Sequence, residues 1–368
     1  MKHFTKNINR LFIALAIFFL GDFHVNSQLS ESFTGIQGSV KYGYLLPHRS
    51  TMEHLVQGHS AAVELGVTYQ MDGSRSWHHD FNLPSVSFVL NYMDFGNRDV
   101  LGSGIGSQIT TYLPYFRKNG WSFGSRLGAG IGVSSKKFNQ KENAKNNAIG
   151  SHLNALVTFG FKLEKQFLKN SLALELNMTH FSNGAYKLPN LGLNLPFLGI
   201  QFSHYLENLE YRKPKELDLP VVHAELARWS WHTQLIVSTK QIYPTGGSNY
   251  GVLSLTNFAQ YLIGSKSAIE GGIDLIYNQS IVREVPGDYG AEKNFQTGAY
   301  LGYILKVHKV DFLVGMGRYI YNPLRPNGDW YHKLGTRIQL SEKISANIMI
   351  KAHWAKADYF EYGIAYQW

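Results

Sequence analysis

The chain of 368 residues contains no cysteine. It therefore has no disulfides and no lipid-modifiable thiol, and it is not a lipoprotein. It also lacks any apolar run of about 18 residues after its first 27, so no further helical membrane span is expected. Mean hydropathy is slightly negative. Phosphate-binding chemistry is missing as well. Gly102-Ser103-Gly104-Ile105-Gly106 has no strand-turn-helix context and reads as entry into a strand. Trp77-His78-His79-Asp80 sets two adjacent histidines on opposite faces of an extended chain, the wrong geometry for shared metal ligation. No metal, no cofactor and no nucleic-acid partner is expected.

The N-terminus carries an export pattern. Lys2, Lys6 and Arg10 precede an apolar stretch, Leu11 to Gly21, too short to cross a bilayer, and Val25-Asn26-Ser27 offers a small-residue cleavage site. A signal peptide over residues 1–27 follows. Its removal leaves 32 basic and 25 acidic residues, a net charge of +7. Aromatic residues make up 14% of the chain, and there are 36 glycines. Dyad alternation runs from end to end. Trp121, Phe123, Leu127, Ala129, Ile131 and Val133 alternate with Ser122, Gly124, Arg126, Gly128, Gly130 and Gly132. Ile344, Ala346, Ile348, Ile350, Ala352 and Trp354 alternate with Ser345, Asn347, Lys351 and His353. Repeats of about ten residues with this period predict an all-β, antiparallel transmembrane β-barrel of the outer membrane. In the last segment, Phe360, Tyr362, Ile364, Tyr366 and Trp368 share one face, and Glu361-x-Gly363-x-x-Tyr366-x-Trp368 is similar to the terminal signal read by the barrel assembly machinery.

Short connections (117–120, 168–170, 264–266, 307–309, 341–343) alternate with long ones (47–58, 135–150, 182–192, 281–294, 321–329). That rhythm separates periplasmic turns from outer loops. It predicts about 16 strands, eight before Leu206 and eight after Arg228, with residues 28–206 and 229–368 as the two halves. Glu207 to Arg228 is charged, contains Pro214 and Pro220, and has no dyad. It is a periplasmic turn within one continuous barrel or a linker between two eight-stranded ones. The continuous barrel is the favoured expectation, because only the C-terminus carries the assembly signal. The basic outer loop Lys136 to Lys145 is suited to attracting lipid phosphates.

Chemistry concentrates in Ser171 to Asn194. Leu172, Leu174, Leu176 and Met178 form one face of a strand, and His180 and Ser182 continue it. A base and a hydroxyl two residues apart can reach hydrogen-bond distance, here beside an aliphatic surface. Glu175 has the opposite parity, faces the lumen and is excluded as a partner of His180.

The segment resembles the PagL-type outer-membrane lipid A 3-O-deacylases through His180-x-Ser182, Asn183-Gly184 and Asn190-Leu191-Gly192-Leu193-Asn194. The resemblance covers roughly the first half of the chain. It implies a serine esterase that removes an ester-linked acyl chain from lipopolysaccharide in the outer leaflet, with His180 activating Ser182. It also implies that the family's acidic member is replaced by Asn194, which can orient an imidazole but cannot supply charge. Asn183, Asn190 or the backbone around Gly184 would hold the oxyanion. Two other expectations belong to different classes: a channel enclosed by sixteen strands, and a barrel that binds lipopolysaccharide without cleaving it.

Overall fold

The computed structural model describes residues 32–209, 228–354 and 356–368. The expected export segment and most of the 207–228 connection lie outside the described residues. Among the described residues there are sixteen antiparallel strands, as the dyads imply. They close twice rather than once. Strands β1 (Ser32–Tyr44) to β8 (Leu193–Tyr205) form one barrel, and β9 (Trp229–Gln241) to β16 (Lys356–Gln367) form a second. The first closes where Gly35 to Gly43 of β1 pair with Tyr205 to Phe197 of β8. The second closes where Tyr362 to Gln367 of β16 pair with Val237 to His232 of β9.

The continuous barrel expected from the sequence is thereby corrected to two of eight strands. Closure is enforced either way, because a strand edge left open in hydrocarbon would expose unpaired N–H and C=O groups. An eight-stranded barrel is just wide enough for its inward side chains to fill. The wide pore on which the channel expectation rested is not formed.

Alternation divides each wall as expected. Leu172, Leu174 and Leu176 are exposed on the outside of β7 (Asn170–Ser182), whereas Ala173, Glu175 and Asn177 are buried in the lumen. The first lumen is locked by four charges. Lys41 meets Glu64 at 2.7 Å and Glu175 at 3.2 Å, and Arg126 meets the same two carboxylates at 2.7 and 3.0 Å. The second has its own network, with Lys333 on Asp274 at 2.7 Å and Arg337 on Glu270 at 2.6 Å. Neutral sets of this kind satisfy charges that would be costly if buried singly. Outer loops cap the first barrel with an apolar cluster that includes Met52, Leu55, Leu101, Ile149, Phe181 and Leu193.

The barrels touch at both rims. On the long-loop side, the β7–β8 connection reaches across. The Gln241 N–H donates to the Ala185 carbonyl at 3.0 Å, and the Leu188 N–H donates to Gln241 Oε1 at 2.8 Å. Asn249 Nδ2 donates to the Tyr186 carbonyl at 3.0 Å. On the short-turn side, the helical turn Ser76–Asp80 meets two turns of the second barrel. Trp77 stacks on His308 with centroids 5.2 Å apart, and Lys266 Nζ donates to the Asp80 carbonyl at 3.1 Å. The His78-His79 pair belongs to this turn. His79 Nε2 lies 2.6 Å from the Gly73 carbonyl, and the Gly73 N–H donates to His78 Nδ1 at 3.2 Å.

Candidate active site

The β7–β8 hairpin sets the site. In its register His180 of β7 lies directly opposite Asn194 of β8, so both side chains leave the same, outward face. His180 Nε2 is 2.9 Å from Ser182 Oγ, and His180 Nδ1 is 2.6 Å from Asn194 Oδ1. Since an amide oxygen only accepts, Nδ1 carries the ring proton and Nε2 is left to accept from the serine hydroxyl. That is the protonation state a general base needs. Ser182 is buried, 3% exposed, at the point where the aliphatic outer face of β7 meets the rim loops.

Asn194 has a second partner, which the sequence reading missed. Its Nδ2 donates to His48 Nδ1 at 3.0 Å. His48 follows the end of β1, and burial together with the neighbouring Arg49 lowers its pKa below 6.5. It is therefore neutral at pH 7 and able to accept. His48, Asn194, His180 and Ser182 form one directed chain of hydrogen bonds.

The other expected site residues separate. Asn190 Oδ1 accepts from the Asn183 N–H at 3.0 Å, and Asn190 lines the cleft; its Nδ2 is the half of the amide left free by that bond. That nitrogen is buried without a hydrogen-bond partner. The Asn183 side chain is consumed by the loop: its Nδ2 donates to Ser151 Oγ at 2.8 Å and to the Lys187 carbonyl at 3.0 Å, and its Oδ1 accepts from the Lys187 N–H. With both amide hydrogens engaged it has none to offer an oxyanion, which corrects the expectation for that residue. Gly184 (φ +60°) lies against Phe360 of the second barrel, where a Cβ would come within 2.4 Å of the ring. Its part is in the contact between barrels. Glu175 is held in the lumen by Lys41 and Arg126, away from His180.

Gly192, within the 190–194 segment, holds a specific position. It has φ +77°, and a Cβ there would stand 2.9 Å from His180 Cε1 and 3.1 Å from Ser182 Cβ. The loop can pass over the imidazole only because this residue has no side chain. The cleft beside the pair is lined from both barrels: His48, Arg49, Asn190 and Leu191 on one side, Ile350, Ala352, Lys356 and Ala357 on the other.

Two family models match the chain. One, described as lipid A 3-O-deacylase (PagL), spans residues 61–203. The other, described as acyloxyacyl hydrolase, C-terminal domain, spans 229–368. The chain belongs to the PagL family. The first match runs from within the second strand of the first barrel to within β8, leaving out β1; the second spans the whole of the second barrel and extends the family assignment beyond the half that the sequence motifs reached. As a PagL-family barrel the protein resides in the outer membrane, in a family of lipid A hydrolases. No curated protein matches. Among solved structures, the outer membrane enzyme PagL is 17% identical, with 45% of this chain and 97% of that one covered and a TM-score of 0.33. A mutant of the Rh. blastica porin is 9% identical, with 92% and 100% covered and a TM-score of 0.19. At such values neither likeness carries an argument.

Proposed function

We propose that this PagL-family member cleaves an ester-linked acyl chain of lipid A by serine catalysis. Ser182 is the nucleophile and His180 the general base. Ser182 Oγ gives its proton to His180 Nε2 and attacks the acyl carbonyl. The oxyanion of the tetrahedral intermediate accepts from Asn190 Nδ2. Collapse breaks the ester C–O bond, and His180 returns the proton to the sugar oxygen that leaves. Water, activated by the same histidine, then hydrolyses the acyl-serine.

Asn194 replaces the charged member of a triad. It fixes the imidazole but leaves the imidazolium unneutralised, so the enzyme is slower than a charged triad would be. The observation that carries this reading is the 2.9 Å contact of Ser182 with a histidine whose other nitrogen is held by an amide oxygen, on the lipid-facing side of the rim. The aliphatic face of β7 leads to that point, so substrate arrives laterally within the leaflet. Residues 1–27 act as the export signal, and the aromatic face of β16 ending at Trp368 engages the barrel assembly machinery. Lipid A from membranes holding the wild-type protein or its Ser182→Ala variant, compared by mass spectrometry, tests the proposal. A species short of one acyl chain is expected only with wild type. Identical profiles, with both barrels correctly inserted, would remove the esterase reading.

A further inference from the structure

The cleft at Ser182 is not a property of the first barrel. Four of its ten lining residues come from the second: Ile350 and Ala352 on the outer face of β15 (Ile344–His353), and Lys356 and Ala357 at the start of β16. The second barrel is fixed to this rim, since the β7–β8 loop hydrogen-bonds to Gln241 and Asn249, and Gly184 makes room for Phe360. Between apolar Leu191, Ile350 and Ala352 stand two cations, Arg49 from the first barrel and Lys356 from the second. Both are exposed, and neither side chain has an ion pair or hydrogen bond among the described residues. Two unpaired cations flanking a nucleophile at a membrane rim complement an anionic headgroup, while the apolar strip beside them complements a chain.

We propose that the second barrel forms one wall of the substrate site, with Lys356 and Arg49 clasping a phosphate of lipid A and Ile350 and Ala352 receiving the acyl chain to be released. This rests on the esterase reading for the identity of the chain that is cut, but the binding does not depend on turnover. On this assignment the second barrel selects for phosphorylated acyl glycolipid, and the first supplies the chemistry. Guanidinium and ammonium contacts to phosphate are among the stronger polar interactions available at such a site. On a neutral acylated sugar the two cations find hydroxyl and carbonyl oxygens but no charge to pair with, and such bonds are about half as strong.

The test uses the full-length protein carrying Ser182→Ala, so that binding is read without cleavage. Affinity for lipid A and for lipid A stripped of its phosphates is measured in mixed micelles. The unmodified cleft should prefer the phosphorylated lipid by about tenfold or more, and Lys356→Glu should bring that ratio close to one. Ala352→Trp, which fills the cleft without altering charge, should weaken both lipids together. Heat-modifiability on gels checks that each variant retains its barrels. A phosphate preference untouched by Lys356→Glu, or binding untouched by Ala352→Trp, would overturn the proposal. Wild-type protein is assayed in parallel for release of fatty acid. If it binds as described but releases none, the esterase reading fails while the binding site stands. If it cleaves but binding ignores both substitutions, the reverse holds.

Discussion

At the scale of single residues, the site turns on an amide that faces two histidines. Asn194 can orient His180 only while its oxygen points at Nδ1, and the nitrogen of the same amide is held there by His48. Asn194→Leu removes both bonds, and kcat should fall roughly 10²-fold, because the imidazole loses its fixed tautomer. Asn194→Glu should keep or raise activity; equal rates in all three forms would show no orienting role. Acid should act through His48 as well as His180. Burial and Arg49 hold its pKa below 6.5, so it stays neutral as pH drops from 7 and protonates only lower. Once it does, Nδ1–H confronts Asn194 Nδ2, and the amide must turn its oxygen away from His180. The acid limb of the activity profile should therefore fall with more than one proton, and His48→Gln, which cannot titrate, should make it shallower. A lowered histidine pKa also means that stability declines as pH falls below 6.5, since the unfolded chain takes up the proton first. Ser182→Ala, His180→Ala and the double variant should be equally inactive, as members of one unit are. A second serine-histidine contact, Ser230 Oγ to His232 Nε2 at 2.9 Å, sits at the opposite end of β9, and Ser230→Ala should leave lipid A cleavage unchanged.

At the scale of elements, the hairpin explains why part of the site could be read from sequence. Parity alone aligns His180 and Ser182 on the outer face of β7, and a hairpin with ten residues between Ser182 and Leu193 brings Asn194 opposite His180. His48 left no such trace. It lies 146 residues from Asn194, in irregular chain beyond β1, where no period constrains it. The partners of the Asn183 amide, Ser151 and Lys187, are likewise set by loop packing rather than by strand register, so no period announces them. Gly192→Ala tests the hairpin directly. A left-handed backbone costs a residue with a Cβ about 1–2 kcal/mol, and this Cβ would press on the catalytic ring. Activity should drop at least about tenfold while the barrel still inserts, as heat-modifiability would report.

At the scale of the molecule, the alternation that announces a barrel is the same for one barrel of sixteen strands as for two of eight. Strand number was therefore legible and closure was not. Closure rests on pairings such as Gly35 with Tyr205, far apart in sequence and invisible to any local pattern. The lumens show the consequence: each holds its own paired charges, Lys41 and Arg126 with Glu64 and Glu175 in the first, Lys333 and Arg337 with Asp274 and Glu270 in the second. Glu175→Leu leaves Lys41 and Arg126 sharing one carboxylate, and should destabilise the first barrel by about 3–5 kcal/mol. Urea unfolding followed separately in the two barrels should show the first transition shift and the second stay in place.

The outward aim of His180 also changes what concentration means for this protein. A site that opens sideways into the leaflet samples lipids by how often they diffuse past within the plane. Its rate should then follow the mole fraction of lipid A in a mixed micelle and be indifferent to how much micelle is present. Diluting the substrate with inert detergent at constant molarity should slow it, whereas adding more micelles of the same composition should not. Saturation would be a property of the surface, expressed per unit area of membrane.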